Sequence, residues 1–144
     1  MCYRIVLITS CGKIKEKEPK PAGMLYKSSR IRHLYKRSKE LGIPLYILSA
    51  KYGLIEADRV IDPYDQELDK KRLKELLPQV ANILKNFDVA IFYKGGAKKY
   101  YLDLIREVCT KNNIKLIEFG YKCMGDIKKL DKILEEIRDG RFSD

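Results

Sequence analysis

Short apolar runs alternate with longer amphipathic segments along the chain. Four runs rich in β-branched residues cover residues 4–9, 44–49, 89–93 and 115–119. Their apolar positions are continuous rather than alternating, which is typical of strands that are covered on both faces. We therefore predict four strands of a mainly parallel sheet.

The segments between these runs repeat apolar residues at the spacing of amphipathic helices. The first predicted helix begins after Ser28 and Ser29 and ends at Gly42, and the second covers residues 73–84 with Pro78 as a kink or a break. A third helix follows residues 95–96, and the last begins near residue 125. Alternation of strand and helix predicts one α/β domain over residues 1–144, a three-layer α/β/α sandwich with a four-stranded sheet.

The charge is unevenly distributed. The net charge is +10, and the first 50 residues carry 11 Lys or Arg against 3 Asp or Glu. A localised basic field concentrates polyanions, so nucleic acid or a nucleotide is the expected partner, with simple solubility as the alternative. The 35% of charged residues, rich in Lys and Glu, also favours a thermophile.

Several classes of protein are disfavoured by the sequence. No stretch approaches the roughly 20 apolar residues of a membrane helix, and the first apolar run begins at Ile5 without a charged leader, so we expect a cytoplasmic protein. Cys2, Cys11, Cys109 and Cys123 show no C-x-x-C spacing, and we predict no metal site. The sequence does not indicate whether the protein binds a cofactor.

Each predicted strand ends in a small or aromatic residue and a lysine. The four ends read "TSCGK", "LSAKYG", "FYKGG" and "FGYK", which would bring Lys13, Lys51, Lys94 and Lys122 to one rim. Ligands of parallel sheets bind outside the carboxyl ends of the strands, and ammonium groups beside Gly-rich turns suit an anion such as phosphate. Chance loop composition is the alternative. Tyrosines near these ends suggest stacking on a nucleobase.

A connector of about twenty residues follows the second strand. We predict an ordered loop folded back over the rim, with turns at residues 52–53 and 63–64. Its anchors to the core are expected to be Leu54, Ile55, Val60 and Ile61. Four carboxylates on it lie near the basic rim, where each could act as a general base or pair with a lysine: Asp58, Asp62, Asp65 and Glu67.

Cys11 and Asp65 are the candidate catalytic residues. Cys11 precedes a glycine and lies near Lys13, where a thiol could become a nucleophile, although a buried structural cysteine is equally consistent with the pattern. The single histidine, His33, falls on the basic face of the first helix, so a Ser-His or Cys-His triad has little support.

The connector carries a resemblance to a known family. Without a gap, residues 48–68 resemble a motif of the YaaA-like peroxide-stress proteins and of the smaller phage, bacterial and archaeal domains of unknown function that share it. The matching positions are Leu48, Ser49, Tyr52, Gly53, Leu54, Ile61, Pro63, Tyr64 and Glu67. Shorter similarities involve Ser10 and Lys13, then Gly96, Ala97 and Tyr100, and finally Lys122 and Gly125. The small domains are the more similar, since they share a cysteine in the first motif and a pair like Tyr64-Asp65.

The resemblance implies an α/β core with a cleft, association with DNA and a part in limiting oxidative or iron-driven DNA damage. This chain is shorter than YaaA, Cys11 and Gly12 replace a proline and an alanine, and Lys98 replaces a glutamate. From the residues and the resemblance together, the candidate ligand-binding residues are Ser10, Gly12, Lys13, Ser49, Lys51, Tyr52, Gly53, Pro63, Tyr64, Lys94, Gly95, Gly96, Tyr100 and Lys122.

Three functions are consistent with these observations. The leading expectation is a nucleic-acid-associated protein that binds phosphate and a base at the rim. The second is an enzyme acting on a nucleobase or nucleoside, by a glycosylase-like or base-modifying reaction. The third is an interaction module that uses the basic face of the first helix, where the candidate nucleic-acid-binding residues are Arg30, Arg32, Lys36 and Arg37.

Overall fold

The structure is a computed structural model that describes residues 3–120 and 129–139. Its strands are β1 Ile5–Ser10, β2 Lys20–Pro21, β3 Leu45–Ser49, β4 Gly53–Glu56, β5 Val60–Ile61, β6 Val89–Tyr93 and β7 Lys115–Phe119. Its helices are α1 Ala22–Leu25, α2 Ser29–Leu41, α3 Lys70–Leu84, α4 Lys99–Lys111 and α5 Lys129–Arg138. No helix of these residues is long and apolar enough to cross a membrane.

The main sheet has five strands in the order β4-β3-β1-β6-β7. The four predicted strands are present and parallel to one another, which confirms a mainly parallel α/β sheet. The prediction of four strands missed β4, which runs antiparallel to β3 after a tight turn. Gly53 begins β4 with a φ of +81° and faces Ser49, and a side chain there would collide with Gln79. A residue without Cβ is therefore needed at this turn.

Two apolar clusters contain residues of alternate faces of the sheet. Along β1, Leu7 belongs to the first cluster, while Val6 and Ile8 belong to the second. Helices α2 and α5 contribute to the first cluster, and helices α3 and α4 contribute to the second. This division explains why the parallel strands read as continuous apolar runs, since both of their faces are buried.

The helices follow the predicted periodicity closely. Helix α2 is capped at its start by Ser28, whose Oγ accepts a hydrogen bond from the Ile31 amide at 3.3 Å, and Gly42 caps its end. Helix α3 is one continuous element of 15 residues with Pro78 inside it, so of the two predicted alternatives, a kink or a break, the break does not occur. The predicted position of the last helix start, residue 125, lies outside the described residues.

The connector reaches the cleft with residues 65–67 and contains short strands that periodicity did not show. Strand β4 joins the main sheet, and β5 pairs antiparallel with β2 to form a second, two-stranded sheet. Three of its four predicted anchors are buried, whereas Val60 is 60% exposed, so the prediction for Val60 was wrong. In a two-residue strand, neighbouring side chains point to opposite faces, and Ile61 takes the inner one.

Candidate functional site

A cleft opens at the carboxyl ends of β1 and β6. After β1, the chain first adds β3 and β4 on one side of β1, and later adds β6 and β7 on its other side. The helices that follow β1 and β6 pack in different clusters, so the two segments leave the sheet toward opposite faces and a crevice stays open between them. The cavity is about 200 Å³. It is lined by residues 10–13 and 15, by Arg30, by connector residues 65–67, and by residues 96, 98 and 101.

Arg30 is the most distinctive residue of this cleft. Its Nη1 donates a 2.8 Å hydrogen bond to Thr9 Oγ1, and the side chain is half-buried. Burial lowers the pKa of the guanidinium, which still stays charged at neutral pH. Within residues 3–120 and 129–139, no carboxylate forms an ion pair with it. A half-buried arginine without a carboxylate can pair with an anion that enters the cleft.

Gly96 brings the opposite wall close to this guanidinium. The residue has a φ of +77°, and a Cβ at this position would lie 3.8 Å from Arg30 Nε. The backbone of the turn before α4 therefore approaches Arg30 in a conformation that favours glycine. Residues 10–13 and Gly96, which the strand-end pattern assigned to one end of the sheet, line the same cleft.

Three lysines add positive charge to the cleft. Lys13 is exposed, and the described carboxylates form no ion pair with it. Lys15 donates a 3.0 Å hydrogen bond to the Lys13 carbonyl, and its Nζ lies 4.3 Å from the centre of the Tyr64 ring. Lys98 pairs with Glu67 at 2.9 Å, and this ammonium group holds the pKa of the Glu67 carboxyl below its ordinary value. The Lys98–Glu67 pair joins the connector to the start of α4.

The two candidate catalytic residues both line the cleft. Cys11 Sγ lies 3.4 Å from the phenol oxygen of Tyr101, in a part-buried contact. Burial raises the pKa of Tyr101, so this phenol is protonated at neutral pH and can donate a hydrogen bond. Asp65 is exposed on the connector side, and none of the described basic side chains forms an ion pair with it. The structure thus brings a thiol, a phenol and a carboxylate to one cavity.

A buried chain of hydroxyl groups fixes the connector behind the cleft. Ser49 is fully buried, and its Oγ donates to the Tyr64 phenol at 2.7 Å and accepts from the Tyr52 amide at 3.1 Å. The Tyr64 phenol in turn lies 2.7 Å from the phenol of Tyr26, which is also fully buried. Burial raises the pKa of both phenols above the ordinary value of 10.0. Ser49 and Tyr64, two predicted ligand-binding residues, hold residues 65–67 at the cleft through this chain.

Other predicted ligand-binding residues lie away from the cleft lining. Lys94 is 3.5 Å from Glu118, and Lys51 lies beside Tyr52, with its Nζ 5.3 Å from the ring centre. The remaining members are not part of the lining either: Gly53 is in the β3–β4 turn, Pro63 is in the connector, Gly95 packs against Tyr93, and Tyr100 is on the exposed start of α4. Lys122 lies outside the described residues. Of the three predicted rim lysines that the structure describes, Lys13 lines the cleft, whereas Lys51 and Lys94 do not.

The basic face of α2 is largely occupied by internal ion pairs. Arg32 pairs with Glu16 at 2.9 Å, and Arg37 pairs with Asp131 at 2.5 Å. Lys36 is exposed. Of the four candidate residues on this helix, Arg30 is the one that lines the cleft.

Several residues of the site were missed by sequence reasoning. Lys15, Gln66 and Lys98 line the cleft, although no motif marked Lys15 or Gln66 and the resemblance marked Lys98 only as a departure. Arg72 of α3 donates to the carbonyls of Ala50 and Lys51, by Nε at 2.8 Å and by Nη2, and so fixes the β3–β4 turn. Its place in the first turn of a helix gave no signal of this role.

No group of three or more His, Cys, Asp or Glu side chains in the described part of the chain could hold a metal ion. The lining offers cations, hydroxyl groups, a thiol and an amide instead. Such a set can bind an anion and form directional hydrogen bonds to a polar group beside it.

The fold and the cleft define an α/β domain whose candidate site lies at a switch point of a mainly parallel sheet. The chain belongs to a family of unknown function, DUF6884, whose model matches residues 5–118. That range contains every residue that lines the cleft. Neither a search of curated proteins nor a search of solved structures returned a significant match.

Proposed function

We propose that the protein associates with nucleic acid and that its cleft binds the phosphate and base of a nucleotide unit. The observation that carries this proposal is the half-buried Arg30 in a cleft between β1 and β6, with its Nη1 on Thr9 and no described carboxylate on its guanidinium. An arginine fork matches the geometry of phosphate oxygens, and a switch-point crevice is a common place for nucleotides.

The rest of the cleft supports a nucleotide over a bare anion. Gln66 and Asp65 lie on the connector side, where an amide and a carboxylate offer donors and acceptors to a base edge. The expected stacking on tyrosine has less support, because Lys15 covers Tyr64 and the ring of Tyr52 packs edge-on against Tyr64. Base recognition in this proposal therefore relies on hydrogen bonds.

The wider role is also a proposal. The resemblance of residues 48–68 to the YaaA-like motif supports association with DNA in a response to oxidative damage, in a cytoplasmic protein. The high content of Lys and Glu favours a thermophilic source. The two core clusters on alternate sheet faces support a three-layer α/β/α arrangement as the frame of the site.

Two measurements test nucleotide binding. Ligands that copurify with the protein are identified by mass spectrometry, with the absorbance at 260 nm recorded before and after a high-salt wash. Binding of labelled single-stranded DNA, double-stranded DNA and tRNA is then measured by fluorescence anisotropy across a series of salt concentrations, because phosphate contacts predict affinity that falls with salt.

Arg30→Met is the decisive variant for this binding, and Arg138→Met on the exposed surface of α5 is its control. We expect Arg30→Met to weaken binding at least tenfold and Arg138→Met to change it less than twofold. If no nucleotide copurifies and none of the three nucleic acids binds at low salt, the proposal is wrong.

A second candidate is an enzyme that acts on a nucleobase or nucleoside. The observation that favours it is the 3.4 Å contact between Cys11 Sγ and the Tyr101 phenol in the cavity that Asp65 also lines. In this proposal Cys11 is the nucleophile, or Asp65 is the general base. Cys11→Ala and Asp65→Asn variants that bind ligand but no longer convert it would support the enzyme, whereas unchanged turnover would exclude both residues from the chemistry.

An interaction module on the outer face of α2 has less support. Arg32 and Arg37 already pair with Glu16 and Asp131. Charge reversal at Lys36 separates the two surfaces, since a partner bound on the helix face would be lost while a ligand in the cleft would be retained.

A further inference from the structure

We propose that the cleft recognises a terminal phosphomonoester, so that its ligand is a mononucleotide or the phosphorylated end of a strand rather than an internal phosphodiester. This inference rests on the proposed function and narrows the chemical class of its ligand. Three observations on the cleft carry it: its charge balance, its size and the ion pair that spans one side.

The charge balance of the cleft matches a dianion. Lys98 and Glu67 neutralise each other at 2.9 Å. The other charged groups of the lining are Lys13, Lys15 and Arg30 against Asp65, a surplus of two positive charges. A phosphomonoester carries about −1.5 to −2 charges at pH 7, whereas an internal phosphodiester carries a single negative charge. A terminal phosphate therefore compensates the surplus more completely.

The size of the cleft argues against a long strand. The cavity of about 200 Å³ lies below the ~300–1,000 Å³ that is usual for ligand pockets. Sites that bind single strands track the backbone along a groove over ~4–16 nucleotides. A cavity of this size therefore favours a single phosphorylated unit over a longer stretch of strand.

The Lys98–Glu67 pair spans the cleft between the connector and the start of α4. Glu67 belongs to the connector wall, and Lys98 precedes the first turn of α4 on the opposite wall. A strand threaded through the cleft on this side would have to separate the two charges, at a cost of no more than about 1 kcal/mol because both side chains are exposed. A chain end enters without breaking this contact.

The test compares matched ligands that differ in one phosphate. Labelled 12-nucleotide DNA strands with a 5′-phosphate, a 3′-phosphate or hydroxyl groups at both ends are titrated by fluorescence anisotropy. The four nucleoside 5′-monophosphates and the corresponding nucleosides compete for the same site, and this arm distinguishes a free nucleotide from a strand end. We expect one terminal phosphate to strengthen binding at least tenfold, on strands or on nucleotides or on both.

Variants link the preference to the cleft. Arg30→Met should remove most of the difference between phosphorylated and unphosphorylated ligands, and Arg30→Lys should retain part of it because the charge stays while the fork is lost. Lys13→Met removes one surplus charge from an exposed position, so it keeps the test valid if Arg30→Met fails to fold. Arg138→Met should retain the full preference.

The outcomes separate this inference from the proposed function. The inference would be overturned, while nucleic-acid binding stands, if strands with and without a terminal phosphate bind equally well. In that outcome, the nucleoside 5′-monophosphates also compete no better than the corresponding nucleosides. A preference that survives both Arg30→Met and Lys13→Met would also overturn it, because the phosphate would then bind elsewhere. If neither strands nor nucleotides bind, the proposed function and the inference fall together.

Discussion

Removal of the Tyr64 hydroxyl by Tyr64→Phe tests whether the buried hydroxyl chain holds the connector in place. The hydroxyl makes two contacts of 2.7 Å, one with Ser49 Oγ and one with the Tyr26 phenol. Each hydrogen bond contributes about 1 kcal/mol net. When Tyr64 loses its hydroxyl, the buried hydroxyl groups of Tyr26 and Ser49 lose a partner, which adds a desolvation cost of about 1–2 kcal/mol. We therefore expect Tyr64→Phe to lower the free energy of unfolding by about 2–4 kcal/mol.

A double-mutant cycle with Tyr26→Phe isolates the contact between the two phenols. Tyr26→Phe alone keeps the hydrogen bond that Ser49 donates to Tyr64 but leaves the Tyr64 hydroxyl proton without an acceptor, so it should cost about 2–3 kcal/mol. In the double variant no phenol is left unpaired, so its cost should be below the sum of the two single costs by about 1 kcal/mol or more. Urea unfolding followed by far-ultraviolet circular dichroism supplies all four free energies. A cost below about 0.5 kcal/mol for Tyr64→Phe, or additive single costs, would refute the reasoning.

The same phenols predict how stability depends on alkaline pH. Burial raises the pKa of Tyr64 and Tyr26 in the folded state above the ordinary 10.0, so the unfolded chain loses these protons first as the pH rises. The stabilising contribution is therefore complete below pH 10 and is lost above it, with a slope of up to about 1.4 kcal/mol per pH unit for each phenol. Tyr64→Phe should make this slope shallower. An unchanged slope would contradict the assignment of the alkaline loss of stability to Tyr64.

Three further predictions concern other parts of the fold. Arg72→Met should lower the free energy of unfolding in urea by about 2 kcal/mol because two hydrogen bonds to carbonyls are lost. An unchanged free energy of unfolding would mean that the β3–β4 turn does not depend on Arg72. Glu118, whose carboxylate accepts two 2.7 Å bonds from Arg106, has its pKa held below the ordinary 4.5 by that contact, so Glu118→Gln should cost about 1 kcal/mol at pH 7 and progressively less as the pH falls below 4.5, with a smaller cost at pH 3. An equal cost at both pH values would contradict this. Burial raises the pKa of the Cys109 thiol to about 12, so iodoacetamide at pH 8 should label Cys11 before Cys109 in peptide mapping, and equal labelling of these two would contradict the burial of Cys109.

The regular elements were predictable because burial on both faces leaves a clear signal. Strands β6 and β7 match the predicted 89–93 and 115–119, where every side chain of β6 is buried. Strand β4 was missed because four residues after a turn carry little periodicity, and its pairing with β3 is set by the turn geometry. The two-residue strands β2 and β5 depend on each other across about forty residues, a contact that no local pattern encodes.

The position of the cleft could be predicted from the sequence, but only some of the residues that line it could. The rule that parallel sheets bind ligands at their carboxyl ends correctly brought residues 10–13 and Gly96 together. It failed for Lys94, since a lysine after a strand can equally turn toward a neighbouring carboxylate, here Glu118. Arg30 was assigned to a helix surface because a helical periodicity does not show that the first turn of α2 lies beside the end of β1.

The central position of β1 has a consequence for how the protein acquires its site. Residues near its start contact residues 84 positions later in the chain, as Arg4 and Asp88 do. Such distant pairings cost more chain entropy to form and slow folding. The cleft is lined by residues 10–30, by connector residues 65–67 and by residues 96–101. A chain emerging from the ribosome therefore cannot assemble the cleft before β6 and α4 have been made, and ligand binding would report on completed topology rather than on the presence of either half.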